Sequence, residues 1–286
     1  SAELFESSSP SWNSAGSLAP GRQFHAASLL PSGKLLVTGG FDAAYNILTS
    51  AQIYDPSVNS WSAGAPLLYP RAYHTATLTS SNRLLVVGGP GSLTAETYDF
   101  SSNTWSAAGT LAVERYQHTA TLLPSGKVLV AGGQGTSFSI LSSAELFTPS
   151  SNTWASAASL ATARRYHTAT LLPNGKLLVA GGIDSLGATL AGTEVYDPAN
   201  NTWSPAAPMT AARYQHTATL LASGRVLVAG GLTANRASAE LYDPSTDTWT
   251  PVASMANGRF LHLAALLASG NVLVAGGRGF SGTGAE

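Results

Sequence analysis

The sequence predicts an all-β protein made of six copies of one four-stranded unit. Three observations predict it: a long repeated stretch, a constant spacing of His, Gly-Gly and Trp, and the lack of any segment with a capped helical period. The stretch HTATLLPSGKVLVAGG, which begins at His118, returns as HTATLLPNGKLLVAGG and HTATLLASGRVLVAGG. Such internal repetition is typical of architectures that stack one small unit many times.

The repeat is defined by its spacing. A Trp lies 13 residues before each His, and the first Gly of a Gly-Gly pair lies 14 residues after it. Consecutive histidines lie 44 to 49 residues apart, which matches the period of four-stranded propeller blades. The six histidines are His25, His74, His118, His167, His216 and His262. The six tryptophans are Trp12, Trp61, Trp105, Trp154, Trp203 and Trp249.

Each copy resolves into two hairpins, taken here in chain order. The first strand, HTATLL, and the second, KVLVAGG, are rich in branched residues and are separated by a Pro/Ser/Gly turn. A stretch of variable length then leads to the third strand, AELYD. A turn such as PSTDT precedes the fourth strand, which contains the Trp. The predicted fold is therefore a six-bladed propeller of four-stranded antiparallel blades.

The two ends of the chain are expected to share the last blade. The spacing from Gly277 to Glu286 and from Glu3 to Trp12 repeats the spacing around Glu240 in the preceding copy. We therefore expect N-terminal strands to complete the C-terminal blade and close the ring, which protects both sheet edges. The predicted single domain covers residues 1–286. Residues 1–18 and 259–286 form the closing blade, and the other blades cover about 19–66, 67–110, 111–159, 160–208 and 209–258.

Composition excludes several classes of partner. With 14 Lys and Arg against 15 Asp and Glu, the chain has no basic field for nucleic acid or an anionic membrane surface. No apolar run approaches the roughly 18–20 residues of a membrane span. The sequence contains no Cys, which excludes disulfides and thiolate catalysis and is compatible with an oxidising compartment. We expect a monomer and a secreted or cell-surface bacterial protein.

The residues repeated in every blade are predicted to be structural. One His per blade would lie on a ring, too dispersed for several imidazoles to bind one metal ion, so we expect neither a metal site nor a cofactor. An Arg lies three residues before each His. A Glu also occurs once per repeat, at Glu3, Glu96, Glu145, Glu194 and Glu240, and Gln52 takes its place in the remaining blade. We expect Arg–Glu pairs or Arg side chains that cap backbone groups. The arginines are Arg22, Arg71, Arg115, Arg164, Arg213 and Arg259.

The residues that differ between blades are the candidate binding residues. In a four-stranded blade, the connections from strand 2 to 3 and from strand 4 to the next strand 1 emerge at the same end, which we call the loop end. Aromatic, basic and acidic residues concentrate in these connections, as expected of a binding surface around the channel mouth. The candidates are Phe41, Asp42, Tyr45, Tyr69, Glu114, Arg165, Asp184, Arg236 and Arg278.

The repeat resembles the kelch family. The resemblance lies in the Gly-Gly that ends a strand, the Tyr of AELYDP, the Trp seven residues later and the Arg three residues before each His. It covers the whole chain and is closest in character to bacterial kelch domains related to the central domain of galactose oxidase. The resemblance implies a β-propeller that binds a protein, peptide or other ligand at the channel mouth, without catalysis.

Three alternatives remain open at this point. The related galactose and glyoxal oxidases use copper with a Tyr–Cys cross-link, a second Tyr and two His, whereas this sequence has no Cys and each His belongs to the repeat. The first alternative is therefore that this chain is a remnant of such an enzyme. A lectin would need aromatic platforms flanked by Asn or Asp, for which Phe41, Asp42 and Tyr45 are the hint. A designed or consensus-like scaffold without a natural ligand is favoured by the near identity of the repeats.

Overall fold

The computed structural model describes residues 2–6, 8–9 and 11–279, and these residues form an all-β protein. The chain divides into two compact units. Unit 1 comprises Ser1–Leu122, Gly126–Val128 and Phe147–Trp154, and unit 2 comprises Leu123–Ser125, Leu129–Leu146 and Ala155–Glu286. No helix in the described part of the chain is long and apolar enough to cross a membrane.

The strands follow the predicted order of two hairpins per repeat. The first hairpin is β1 (Glu3–Glu6) and β2 (Ser11–Ser14). The next sheet is β3 (Ala26–Leu29), β4 (Leu35–Thr38), β5 (Ala51–Asp55) and β6 (Ser60–Gly64). It is followed by β7 (Thr75–Leu78), β8 (Arg83–Val87), β9 (Thr94–Asp99) and β10 (Thr104–Thr110).

The second half of the chain continues the same pattern. The next sheet is β11 (Thr119–Leu122), β12 (Val128–Ala131), β13 (Ala144–Thr148) and β14 (Thr153–Ala157), with a short 3-10 helix at Thr136–Phe138. It is followed by β15 (Thr168–Leu171), β16 (Leu177–Ala180), β17 (Thr193–Asp197) and β18 (Thr202–Ala206). The remaining strands are β19 (Thr217–Leu220), β20 (Val226–Ala229), β21 (Ala239–Asp243), β22 (Thr248–Val252), β23 (Leu263–Leu266) and β24 (Val272–Ala275).

These strands form five four-stranded and two two-stranded sheets in the described residues. In each four-stranded sheet the order along the sheet is the order along the chain, and neighbouring strands are antiparallel. For example, Leu177 of β16 pairs with Tyr196 of β17, which pairs with Trp203 of β18. The predicted fold class, an all-β protein of four-stranded propeller blades, is confirmed.

The second strand of each blade is the most buried, because it is covered on both faces. All four residues of β12 and of β16 are buried, which explains why this strand reads as a continuous apolar run. The Trp of the fourth strand secures one repeat to the one before it. The Trp61 indole N–H donates to the Ala15 carbonyl at 2.7 Å in unit 1, and the Trp203 indole N–H donates to the Ala158 carbonyl at 2.8 Å in unit 2.

The closing blade stays a prediction. Strands β1 and β2 form one two-stranded sheet, and β23 and β24 form another. The C-terminal residues 280–286, to which the sequence assigns part of this blade, lie outside the described residues. The assignment of residues 1–286 to one domain and the blade boundaries within it likewise stay predictions.

Candidate functional site

The loop end of each repeat is built around a residue in the left-handed backbone region. This residue immediately precedes the repeated His, and it is never Gly in this sequence. The six residues and their φ angles are Phe24 (56°), Tyr73 (51°), Gln117 (56°), Tyr166 (57°), Gln215 (55°) and Leu261 (55°). Left-handed φ is uncommon for side chains of this size and clusters at functional sites.

Hydrogen bonds between repeats hold this conformation. In unit 1, the Tyr73 N–H donates to the Phe24 carbonyl at 3.0 Å, and the Gln117 N–H donates to the Tyr73 carbonyl at 3.2 Å. In unit 2, the Gln215 N–H donates to the Tyr166 carbonyl at 3.2 Å. The strained residues therefore form a continuous backbone ladder within each unit, which fixes the direction of their side chains.

Glycine is required in the Gly-Gly pair for a steric reason. The first Gly of each pair has positive φ, and in five of the six pairs, all except Gly276, it lies against the backbone of the next repeat. A Cβ added at Gly88 would lie 2.2 Å from the Arg115 carbonyl oxygen, and one added at Gly181 would lie 2.4 Å from the Arg213 carbonyl oxygen. No side chain fits at that distance, so only Gly allows neighbouring repeats to approach this closely.

Five of the six repeated histidines are buried inside the scaffold, and His25 is the exposed one. The His74 Nε2 lies 2.9 Å from the Thr38 hydroxyl, and the His216 Nε2 lies 3.0 Å from the Thr168 hydroxyl. Burial, assisted by the charge of Arg71, lowers the pKa of His74 to about 3. These imidazoles are therefore neutral at physiological pH, and their contacts are those of structural residues.

The expected Arg–Glu pairs are present and tie the loops together. Three pairs have an Nη2–Oε1 distance of 2.7 Å each and are almost fully buried: Arg71–Glu96, Arg164–Glu194 and Arg213–Glu240. The carboxylate also accepts backbone N–H groups of the 4–1 connection, as Glu96 does from Leu68 at 2.6 Å. Arg22, whose repeat has Gln52 instead of Glu, donates to the carbonyls of Gly39 and Ser50 at 2.9 and 2.8 Å.

The other repeated basic residues have the same surroundings. Arg115 is fully buried, and Arg259 is buried and donates to the Gly276 carbonyl at 2.9 Å. Among the histidines, His118 and His262 each have Nε2 2.9 Å from the hydroxyl of a Thr in the preceding repeat. His167 is buried as well, with its pKa lowered to about 3 by burial, whereas the His25 side chain is largely exposed.

The loop end of unit 1 carries an aromatic cluster. The rings of Phe24 and Tyr73 are stacked with centroids 4.1 Å apart, and Phe41 lies edge-on to both at 6.4 and 5.9 Å. Tyr116 extends the cluster, 6.3 Å from Tyr73. Such rings are large, rigid contact surfaces of the kind that dominate binding energies.

A depression of ≈ 620 Å³ lies beside this cluster. Its lining includes Arg22, Gln23, Phe41, Asp42 and Tyr45. The Tyr45 side chain is 74% exposed, and that of Tyr69, in the next 4–1 connection, is 48% exposed. Three of the predicted binding residues in unit 1, Phe41, Asp42 and Tyr45, thus line one open surface.

The predicted acidic binding residues form hydrogen bonds with backbone groups of the loops. The Asp42 carboxylate accepts hydrogen bonds from the Asn46 side-chain amide at 3.0 Å and from the backbone N–H of Asn46 and Ala44 at 2.9 and 2.8 Å, and these bonds lower its pKa. In unit 2, Asp184 accepts from the equivalent groups of Leu186 and Ala188 at 2.9 Å each. Both carboxylates therefore brace their own loops. Glu114 accepts from the Gly91 N–H at 2.6 Å and braces a loop in the same way.

The loop end of unit 2 is cationic and aromatic. The Arg165 guanidinium lies over the Tyr166 ring at 5.2 Å and also donates to the buried amide oxygen of Gln134. The Arg236 guanidinium lies over the Phe260 ring at 5.4 Å. Arg278 is exposed, and its backbone forms an antiparallel bridge with Phe260. Stacking on an aromatic ring restricts each guanidinium before any ligand binds.

The sequence-based selection missed Phe24, Tyr73 and Gln134. Phe24 and Tyr73 lie in the left-handed position before His, and Gln134 follows a Gly-Gly pair and positions Arg165. A signal was present, because the residue before each His varies between aromatic, amide and aliphatic while the His itself and the Arg three residues before it are constant. Its importance depends on backbone geometry that strand patterns do not reveal.

Comparisons with known proteins agree with this architecture. A model described as the KLHDC2/KLHL20/DRC7 Kelch-repeats domain matches residues 73–277, and a Kelch motif matches residues 25–68. No curated protein matches the chain.

Among solved structures, the chain is similar to one described as a novel fungal alcohol oxidase of the AA5 family in complex with copper. The TM-score is 0.60 at 17% identity, over 92% of this chain and 71% of the other. At that identity the likeness shows the fold alone. The resemblance seen in the repeat is thus confirmed, and because the first family model covers most of the sequence, the chain belongs to the kelch-repeat family.

Proposed function

We propose that this chain is a non-catalytic interaction module that binds a protein or peptide at the loop end of its blades. Kelch repeats typically mediate protein interactions, and this supports the general class. The observation that carries the finer proposal is the aromatic cluster of unit 1, where Phe41 contacts the stacked rings of Phe24 and Tyr73. Phe41 also lines the same depression as the strongly exposed Tyr45. Exposed aromatic groups on a rigid frame are the usual anchors of protein interfaces.

The loop end of unit 2 supports the same proposal from its own residues. Arg165 and Arg236 are held over aromatic rings, so little side-chain entropy remains to be lost on binding. Guanidinium groups favour carboxylates on a ligand, with which they form paired hydrogen bonds. We therefore expect the partner to present acidic side chains to this surface.

A catalytic role has less support. Kelch propeller domains are generally non-enzymatic, although the fungal oxidase shows that the fold is compatible with catalysis. That oxidase holds copper, and the residues of this chain do not fit such a centre. The sequence has no Cys, and no group of three His, Cys, Asp or Glu side chains in the described range could hold a metal ion. The buried Nε2 atoms of His74 and His216 already contact Thr hydroxyls.

The lectin alternative at this loop end also has less support. It relied on Asp42 as a hydrogen-bonding partner for a sugar beside Phe41 and Tyr45. The Asp42 carboxylate instead accepts hydrogen bonds from Ala44 and Asn46, and this geometry favours a loop brace over a ligand contact.

Peptide selection tests the proposal. Ligands would be selected from a random peptide library against the wild-type chain, and their Kd measured for Tyr45→Ala, Arg165→Ala and Arg236→Ala. We expect Tyr45→Ala to weaken ligands that bind at unit 1, and Arg165→Ala and Arg236→Ala to weaken ligands that bind at unit 2, by about 10-fold or more in each case, as for hot-spot side chains.

Lys34→Ala and Arg225→Ala are the matched controls, because these exposed side chains form surface ion pairs with Asp55 and Asp243 on the opposite hairpin turns. We expect the controls to bind as the wild type does. Binding that survives all three loop-end substitutions and is lost in the controls would refute the proposal.

A further inference from the structure

Neighbouring repeats meet at three equivalent positions away from the loop end. One is the residue that ends the first strand's apolar run, one lies in the third strand, and one is the aromatic residue of the next repeat's third strand. At three junctions these positions are apolar and belong to one packed cluster: Leu30, Ile53 and Tyr98 in unit 1, and Leu123, Leu146 and Tyr196 and then Leu172, Val195 and Tyr242 in unit 2.

One junction of unit 1 departs from this pattern. The equivalent residues are Thr79, Thr97 and Phe147, so two aliphatic side chains are replaced by Thr and the phenol hydroxyl is missing. All three line a cleft of ≈ 500 Å³. This volume lies within the range of small-molecule sites, about 300–1,000 Å³.

The cleft has free hydrogen-bonding capacity. Within the part of the chain that the structure describes, no hydrogen bond from protein reaches the Thr97 or Ser106 hydroxyl, and both residues line the cleft. In four other repeats a Tyr hydroxyl donates to the equivalent Asn or Asp, for example Tyr196 to Asn201 at 2.9 Å. Because Phe147 has no hydroxyl, Asn152 receives no such bond, and its side chain lines the same cleft.

The other polar groups of the cleft are pre-arranged. The Thr79 hydroxyl donates to the Arg83 carbonyl at 2.9 Å and lies 2.9 Å from the Ser81 hydroxyl, which is exposed. Arg83, the cation of the cleft lining, is paired with Asp99 at 3.1 Å. The lining therefore presents hydroxyl and amide groups with a locally neutral charge.

We infer that this cleft is a binding site for a neutral polyhydroxylated ligand, of which one sugar residue is the natural size. A ligand of this class exchanges hydrogen bonds with Thr97, Ser106 and Asn152, each of which can donate and accept. Pro149 supplies an apolar patch in the lining for the C–H groups of a sugar ring. Thr79 is buried and Thr97 is half-buried where three other junctions pack aliphatic side chains. This exchange lowers packing stability, and a bound ligand provides a reason for that departure.

Titration with small glycosides tests this inference. The probes are the methyl glycosides of glucose, galactose and mannose, followed by saturation-transfer difference NMR on the full chain. We expect at least one to bind with a Kd of about 1–50 mM, as for a small ligand that makes few hydrogen bonds. Thr97→Val keeps the shape and removes one hydroxyl, so binding should weaken about 3–10-fold.

Two further variants separate the cleft from general effects on folding. The double variant Thr79→Leu with Thr97→Val restores the apolar pattern, so it should lose glycoside binding while its Tm stays equal or rises. Val195→Thr introduces a hydroxyl at the position of unit 2 that is equivalent to Thr97, and it should leave glycoside binding unchanged.

Several outcomes would overturn the inference. These are no glycoside binding up to about 100 mM, unchanged binding in the double variant, or tighter binding of inorganic phosphate at the same residues than of any glycoside. Loss of glycoside binding in Tyr45→Ala would also overturn it, because that result would place the sugar at the loop end. Retained binding in Tyr45→Ala is expected, and this control keeps the inference independent of the proposed function.

Discussion

Mild acid should destabilise this protein through its buried histidines. Burial is the largest cause of a pKa lowered to about 3 for His74 and His167 and to about 4 for His262, and it lowers that of His216 well below its usual value. In the unfolded chain a His titrates near pH 6.5. A lowered folded pKa means that the unfolded state binds protons first, so stability is complete above about pH 6.5 and is lost as the pH falls below it.

The magnitude follows from this linkage. At pH 5 an unfolded His is almost fully protonated while His74 stays neutral in the fold, which costs about 2 kcal/mol relative to pH 7.5. Four such residues would together remove about 8 kcal/mol, comparable with the whole stability of a typical domain. The carboxylates of Asp55 and Asp99, held at a pKa of about 2 mainly by hydrogen bonds, contribute only below about pH 4.

Urea denaturation followed by Trp fluorescence at pH 7.5, 6.5, 5.5 and 5.0 measures the effect. His74→Gln removes one titrating group and keeps a side chain that can bond the Thr38 hydroxyl, so its stability should fall by about 2 kcal/mol less than that of the wild type over this range. A free energy of unfolding that is constant from pH 7.5 to 5.0 would refute the reasoning. A variant that loses as much stability as the wild type would refute the assignment to His74.

Three other predictions concern the scaffold of unit 2. Arg213→Met should lower the free energy of unfolding in urea by about 3–5 kcal/mol, because it leaves the Glu240 carboxylate buried without its cation. The double variant with Glu240→Met should recover most of that loss. A double variant as unstable as the single one would contradict the pairing. Gly181→Ala places a Cβ 2.4 Å from a carbonyl oxygen and should cost about 3 kcal/mol or more, whereas Gly187→Ala, with open space around its Cβ, should cost about 1 kcal/mol. Equal losses in thermal denaturation of the two Gly variants would contradict the steric argument. Trp203→Phe should lower stability by about 1–2 kcal/mol, because the indole N–H bond to the preceding repeat is lost, and a calorimetric Tm equal to the wild type would contradict this.

Much of the fold could be predicted because the repeat makes local rules visible six times. The alternation in HTATLL, the apolar run in KVLVAGG and the turn residues between them predict a hairpin in any one copy. The constant spacing from His118 to Gly132 and from Trp105 to His118 then predicts that every copy is the same blade. The buried Arg–Glu pairs were also visible, since two series of opposite charge recur in step with the repeat.

What the sequence alone determined is therefore the blade, its strand order and the residues that repeat with it, because these depend on short-range periodicity. Tertiary packing decided the rest. It placed Phe24 and Tyr73 in a left-handed backbone position that stacks their rings, and it brought Thr79, Thr97 and Phe147 to one cleft. These residues are far apart along the chain, and only the side-by-side packing of neighbouring repeats brings their side chains together.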